Sequence, residues 1–243
     1  DEASQAMINI DVRGMAEVQR ALRGLASGQI PFALSRAING TAFQVMKAER
    51  AEITSTFDRP TPFVQRGVRY EKATKQTLNA RVYAAPESAK ALAPNAFGGG
   101  RETKTYEAVM RSAGVLPLGK HAVPGSGAKI DRYGNIDRDQ LAAILKSLGL
   151  LSARNASRGG KKRQRAMAQS GTYFVGGQGY ARHLHAGIWQ RVGSRGLKPV
   201  ILFISPATYS ARFEFAGTAR AEAVRVFAAN FEAAIALAME TAR

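Results

Sequence analysis

Two stretches of helical periodicity lie near opposite ends of this chain, and any fold it adopts must bring both to a core. The first runs from about Pro31 to Ile53, with Leu34, Ile38, Ala42, Val45 and Met46 forming an apolar stripe. Arg36, Lys47, Glu49 and Arg50 supply much of its wet side. Proline at 31 suits a first helical turn, where its missing N–H has no partner to lose. The second stretch runs from about Thr218 to Ala242. Val224, Phe227, Ala228, Phe231, Ile235 and Ala238 recur there at helical spacing, and the other side is mostly alanine. A helix so rich in small residues lets a neighbour approach closely on more than one side.

Between and before these helices the period changes to two. Residues 7 to 12 alternate apolar and polar, which predicts a short first strand, followed by an amphipathic helix over about Met15 to Leu25. Leu78, Ala80, Val82 and Ala84 alternate with Thr77, Asn79, Arg81 and Tyr83, the pattern of a half-buried strand in a hairpin or meander. Three further strands are expected at Thr172 to Val175, Gly187 to Val192 and Pro199 to Ile204. The segment Arg59-Pro60-Thr61-Pro62-Phe63 reads as a stiff loop, because two prolines remove donors and bias their predecessors away from helix.

Residues 86 to 171 look different. Glycine and proline cluster at 93 to 100 and again from Gly114 to Gly134, and both stretches read as loops, with a short helix expected over Glu102 to Arg111. A clearer helix is expected over 137 to 149, where Asp137 and Gln140 have capping-box spacing, Leu141, Ile144, Leu145 and Leu148 make a stripe, and Gly149 suits the C′ position. The expected fold is α+β: a small, mostly antiparallel sheet packed against two long helices, interrupted by a long, partly ordered insertion. In that division residues 1–85 begin the core, 86–171 form the insertion, and 172–243 complete the core.

The electrostatics are as uneven as the pattern. The formal net charge is +17, and residues 140 to 213 contain no Asp or Glu but twelve Lys and Arg. Six of these, Arg154, Arg158, Lys161, Lys162, Arg163 and Arg165, lie in a stretch whose largest apolar residue is Met167, which predicts an exposed arm. Arg182, Arg191, Arg195 and Lys198 follow in the strand-rich part. One-signed segments of this kind face a phosphate backbone, an acidic protein surface or an acidic neighbour in an assembly; a merely solubilising loop is the simpler alternative for the arm.

The chemistry-bearing residue types are sparse. Cysteine is absent, so disulfides, thiolate metal sites and Cys nucleophiles are excluded. His183 and His185 have the spacing of a metal-binding pair in a strand, but no Asp, Glu or Cys lies within 28 residues, so structural or interface histidines beside Arg182 are expected. Gly193-Ser194-Arg195-Gly196-Leu197-Lys198 lacks the glycine spacing and following Ser/Thr of a phosphate loop, and reads as a hairpin turn. No acyl-transfer elbow or paired-carboxylate strand is present. The chain is expected to be noncatalytic, with no cofactor and no metal. No apolar run reaches the roughly 18 to 20 residues that span a bilayer, and no signal peptide opens the chain, so no membrane association is expected.

Three local patterns together carry a family resemblance. They are Phe32-Ala33-Leu34-Ser35-Arg36-Ala37-Ile38-Asn39-Gly40-Thr41-Ala42; the pair Gly187-Ile188-Trp189-Gln190-Arg191-Val192-Gly193 and Lys198-Pro199-Val200-Ile201-Leu202-Phe203; and the terminal helix after Phe213. The chain resembles the minor tail protein Z and related tail-completion proteins of tailed bacteriophages, mainly over residues 30 to 85 and 170 to 240. The 86 to 169 region is longer and richer in Gly and Pro than that pattern. The resemblance implies a structural subunit of a ring-forming homo-oligomer at the phage neck or upper tail, resident in the virion and in the host cytoplasm during assembly. Its implied partners are other neck and tail proteins and, without sequence preference, double-stranded DNA in the channel. Trp189, Phe227 and Phe231 are expected subunit-packing positions, and Arg36, Trp189, Arg191 and Pro199 structural or contact positions. A basic module binding nucleic acid through nonspecific phosphate contacts is the alternative.

Overall fold

The computed structural model describes residues 7–11, 29–150, 172–193 and 196–240, and the fold is α+β with two antiparallel sheets. The chain forms two compact units. The first comprises Asp1–Arg101 and Thr208–Arg243, the second Glu102–Ala207.

In the first unit, helix α1 (Gln29–Thr56) and helix α6 (Phe215–Glu240) pack on a three-stranded sheet of order β1-β3-β2. Strands β1 (Met7–Asp11) and β2 (Val68–Glu71) each pair antiparallel with the central β3 (Asn79–Ala84), in the registers Ile8↔Val82 and Tyr70↔Val82. The predicted alternation of β3 holds: Ala80, Val82 and Ala84 are buried, while Asn79, Arg81 and Tyr83 lie on the other face. Those three small residues meet Ile38, Val45 and Ile53 of α1, so the hydrophobic core lies between the helix layer and one sheet face.

Helices α1 and α6 run antiparallel. Ala33 and Ala37 near the start of α1 meet Ala234 and Ala238 near the end of α6, whereas Glu52 near the end of α1 accepts from the Glu214 N–H just before α6. Alanine on both sides brings the backbones close. The burial of α6 is accordingly rotated from the expected stripe. Phe215, Ala219, Val226, Ala234 and Ala238 are buried, Phe227, Phe231 and Ile235 are half-buried, and Val224 is 77% exposed. Close backbone approach selects the alanine side, which a count of large apolar residues does not find.

Other local expectations are also corrected. The Pro60–Phe63 region contains a helical turn, α2 (Pro62–Gln65), because Thr61 caps it through an Oγ1 bond from the Val64 N–H and Pro62 occupies its first position. Residues 93 to 97 belong to helix α3 (Pro86–Phe97), which carries Pro94 inside it. The buried Asn95 takes the chain entering α6: its carbonyl accepts the N–H groups of Arg212 and Phe213, and its side chain accepts from Arg212 Nε.

The second unit has a four-stranded sheet of order β4-β7-β6-β5, built from β4 (His121–Pro124), β5 (Tyr173–Gly176), β6 (Gly187–Val192) and β7 (Gly196–Ile204). Helices α4 (Thr105–Ser112) and α5 (Arg138–Ser147) contribute Met110, Ile144 and Leu145 to a core with Tyr173, Ile188, Ile201 and Phe203. Strand β4 falls inside the expected 114 to 134 loop. The strands at 173 to 204 thus join the helices of residues 105 to 147 around their own core, a different division from the expected 86–171 insertion.

Buried polar side chains fasten this unit. Glu107 of α4 is fully buried and accepts from the N–H of Ala122 in β4 at 2.7 Å and of Lys104 at 2.8 Å. Asp137 caps α5 as expected, accepting from the N–H groups of Asp139 and Gln140. Gln140 does not complete a capping box; its side chain instead accepts from the Lys129 N–H and donates to the Gly127 carbonyl, tying the preceding loop to the helix. Gly149 has φ 73° and ends the helix as its C′ residue.

Candidate contact surface

The strand pairing decides which expected residues share a face. Tyr173 pairs with Gln190 and Ile188 with Ile201, and these look toward the helix-side core. Phe174 pairs with Trp189, and Trp189 and Arg191 oppose Pro199 and Leu197, so these occupy the outer face. A bulge between Ile188 and Trp189 shifts the register by one, which buries both Val200 and Ile201. Lys198 consequently pairs with Gln190 and leaves the face that carries Arg191.

Aromatic rings and arginine are combined on the outer face. The Arg191 guanidinium lies 4.3 Å from the Phe174 ring centroid, a cation–π contact, and its Nη2 donates to the Tyr180 hydroxyl at 3.3 Å. Phe174 is buried, while Tyr180, on the 3₁₀ turn Gly179–Ala181, is tilted 31° against it and 52% exposed. Trp189 is half-buried, and its Nε1 donates to the His185 carbonyl at 3.0 Å, which pins the loop between that turn and β6. Arg182 is the exposed residue just after the turn. His183 and His185 lie in this loop rather than in a strand, and both are exposed. Among the described residues no group of three His, Cys, Asp or Glu is placed to hold a metal.

The remaining expected positions are distributed elsewhere. Arg154, Arg158, Lys161, Lys162, Arg163, Arg165 and Arg195 lie outside the described residues, as does the helix expected over 15 to 25. Phe227 and Phe231 stack on each other at 6.0 Å and pack within the first unit. Arg36 is exposed on α1, 5.8 Å from the Phe32 ring centroid. Phe174 and Tyr180 are not singled out by sequence pattern, because the register β5↔β6 brings Phe174 to Trp189, and Tyr180 reaches Arg191 and Phe174 only through a turn outside the strands.

In the first unit, the segment Asn39-Gly40-Thr41 is a contact point for two other elements. The Asn39 side chain donates to the Ala73 carbonyl at 3.0 Å and accepts the Ala73 N–H at 2.8 Å, holding the chain after β2 against α1. On α6, Asn230 donates to Thr41 Oγ1 and accepts from Gln44 Nε2. A Cβ at Gly40 would sit 3.3 Å from the Asn230 amide carbon, so glycine there permits the close crossing.

About two turns further along α1, Glu49 is fully buried, and neither carboxyl oxygen has a hydrogen-bond partner of good geometry. Desolvation pushes its pKa from 4.5 up to about 9; nearby Glu52 adds to the rise, and the Ala219 backbone amide offsets only part of it. Glu49 is therefore a neutral acid at pH 7.

No protein-family model, curated protein or solved structure matches this chain. Among the described residues no helix is long and apolar enough to cross a membrane.

Proposed function

We propose that this chain is a noncatalytic structural subunit of a tailed-phage neck or upper tail, acting in tail completion and head–tail joining as a ring-forming homo-oligomer around the DNA channel. The observation that carries this reading is the contact between two of the three patterns behind the resemblance. The Asn39-Gly40-Thr41 segment of the first meets Asn230 of the terminal helix, 189 positions beyond Thr41. That these two patterns pack against each other supports reading them as parts of one body. The third, around Trp189 and Pro199, is an antiparallel hairpin in the second unit, with Trp189 opposite Pro199. Side chains in both units are spent on fastening elements, as Asn39, Asn95, Glu107 and Gln140 illustrate, which suits a component that must hold shape under load.

The acid-free interval favours a second reading, a basic module that binds nucleic acid through phosphates without sequence preference. Neutralising Arg158, Lys161, Lys162, Arg163 and Arg165 together separates the two. The neck reading predicts impaired assembly and little change in DNA affinity of the isolated chain. Intact assembly with a collapse in DNA affinity and a flattened salt dependence supports the second reading instead.

A further inference from the structure

We infer that the outer face of the β4-β7-β6-β5 sheet is a platform for single-stranded nucleic acid, with Tyr180 stacking on a base and Arg182 contacting phosphate. The inference goes beyond the neck reading, whose channel DNA is double-stranded, and stands or falls separately from it. Its physical basis is the surface itself. Tyr180 presents an exposed ring braced from behind by buried Phe174, and Arg191 holds its hydroxyl while adding charge beside the ring. Bracing matters because a ring already fixed in place loses little freedom when a base stacks on it. Exposed Leu197 and half-buried Trp189 extend the apolar part of the face.

Charge and ring together select among polyanions. The sequence from Gln140 to Phe213 contains no carboxylate, which fits a partner of uniform negative charge; a protein neighbour of mixed sign would be matched by acids as well as bases. A duplex keeps its base faces stacked inside, so an exposed Tyr ring gains nothing from it. A single strand offers both base faces and phosphates, the combination that aromatic and cationic side chains bind without sequence preference. Arg182 is exposed two residues after Tyr180, while Lys198 lies on the other side of the sheet from Arg191, so few phosphate contacts and a shallow salt dependence are expected.

The chain has a single tryptophan, and it lies on this face, so its intrinsic fluorescence reports occupancy directly. The full chain is titrated with oligothymidylate of about 20 nucleotides, with a duplex of equal length and with poly-glutamate, at roughly 0.1 M salt. Oligothymidylate is expected to quench Trp189 saturably and to bind at least about tenfold more tightly than duplex. Tyr180→Ala should weaken that binding by about five- to a hundredfold, Tyr180→Phe should retain it, and Arg182→Gln should reduce the log–log salt slope by about 0.7. Circular dichroism of each variant shows whether the sheet survives; if Tyr180→Ala unfolds it, Arg182→Gln at the exposed turn carries the test. Equal or tighter duplex binding, unchanged affinity in the Tyr180→Ala variant, or equal competition by poly-glutamate overturns the inference. Subunit assembly, measured separately by mass and microscopy, is unaffected by that failure, and a chain that binds oligothymidylate but forms no assembly even with neck and tail extracts refutes the neck reading alone.

Discussion

Replacing Glu49 by glutamine removes one proton site and almost nothing else from the seam between α1 and α6. The folded carboxyl titrates near 9 and the unfolded one near 4.5, so between these pH values the folded chain holds a proton that the unfolded chain has released. Stability therefore falls as pH rises through this window, by up to about 1.4 kcal/mol per pH unit, and levels off above pH 9. At pH 7 the accumulated cost is about 3 kcal/mol, and across the whole window about 6 kcal/mol. Glutamine keeps the shape but cannot ionise in the unfolded state. Urea unfolding followed by circular dichroism at pH 5, 7 and 9 gives the two stability profiles. The difference between variant and wild type should grow with pH by several kcal/mol, starting at about 1 kcal/mol or less at pH 5. Parallel profiles would refute the argument, since they would mean that Glu49 finds a partner or water when folded. Glu52→Gln gives an internal check: removing its charge lowers the pKa of Glu49 and ends the loss of stability at lower pH.

Asn39→Ala leaves the Ala73 N–H and carbonyl without their side-chain partner and should cost about 1–3 kcal/mol in denaturant unfolding; a loss below about 0.5 kcal/mol would show that water replaces both bonds. Gln140→Ala cuts the loop at 127 to 129 from α5, and hydrogen exchange should accelerate at Lys129 while the amides of α1 keep their protection. Equal acceleration in α1 would show that the two units unfold as one. Asn230→Leu replaces the polar contact with Thr41 and Gln44 by a branched side chain facing Gly40, and should lower the thermal midpoint by several degrees, about 1–3 kcal/mol. An unchanged midpoint would mean that the helices separate enough to accommodate it.

Much of the local structure was legible because each element carries its own period and punctuation. Alternation over Asn79–Ala84 gave β3, and Asp137 and Gly149 bracketed α5. Features set by distant contacts were not legible. Strand β4 is four residues, too short for alternation to register, and exists because β7 pairs with it from 80 positions away. Pro94 suggested a break, yet Asn95 is held by Arg212 and Phe213 from the far end of the chain. The candidate surface was half legible. Arg182, Trp189 and Arg191 stand out by charge and composition, but Phe174 joins Trp189 only through register, Tyr180 joins Arg191 and Phe174 only through a turn, and one bulge sends Lys198 to the opposite face.

The proposed assembly of copies of this chain into a closed ring is tested by electron microscopy of the purified full chain, with mass measured on the same sample. Annular particles of rotational symmetry are expected, with a central opening wide enough for duplex DNA and a mass that is an integral multiple of 26.1 kDa. A single species of monomer mass at every concentration, with no annular particles alone or with neck and tail extracts, would contradict it.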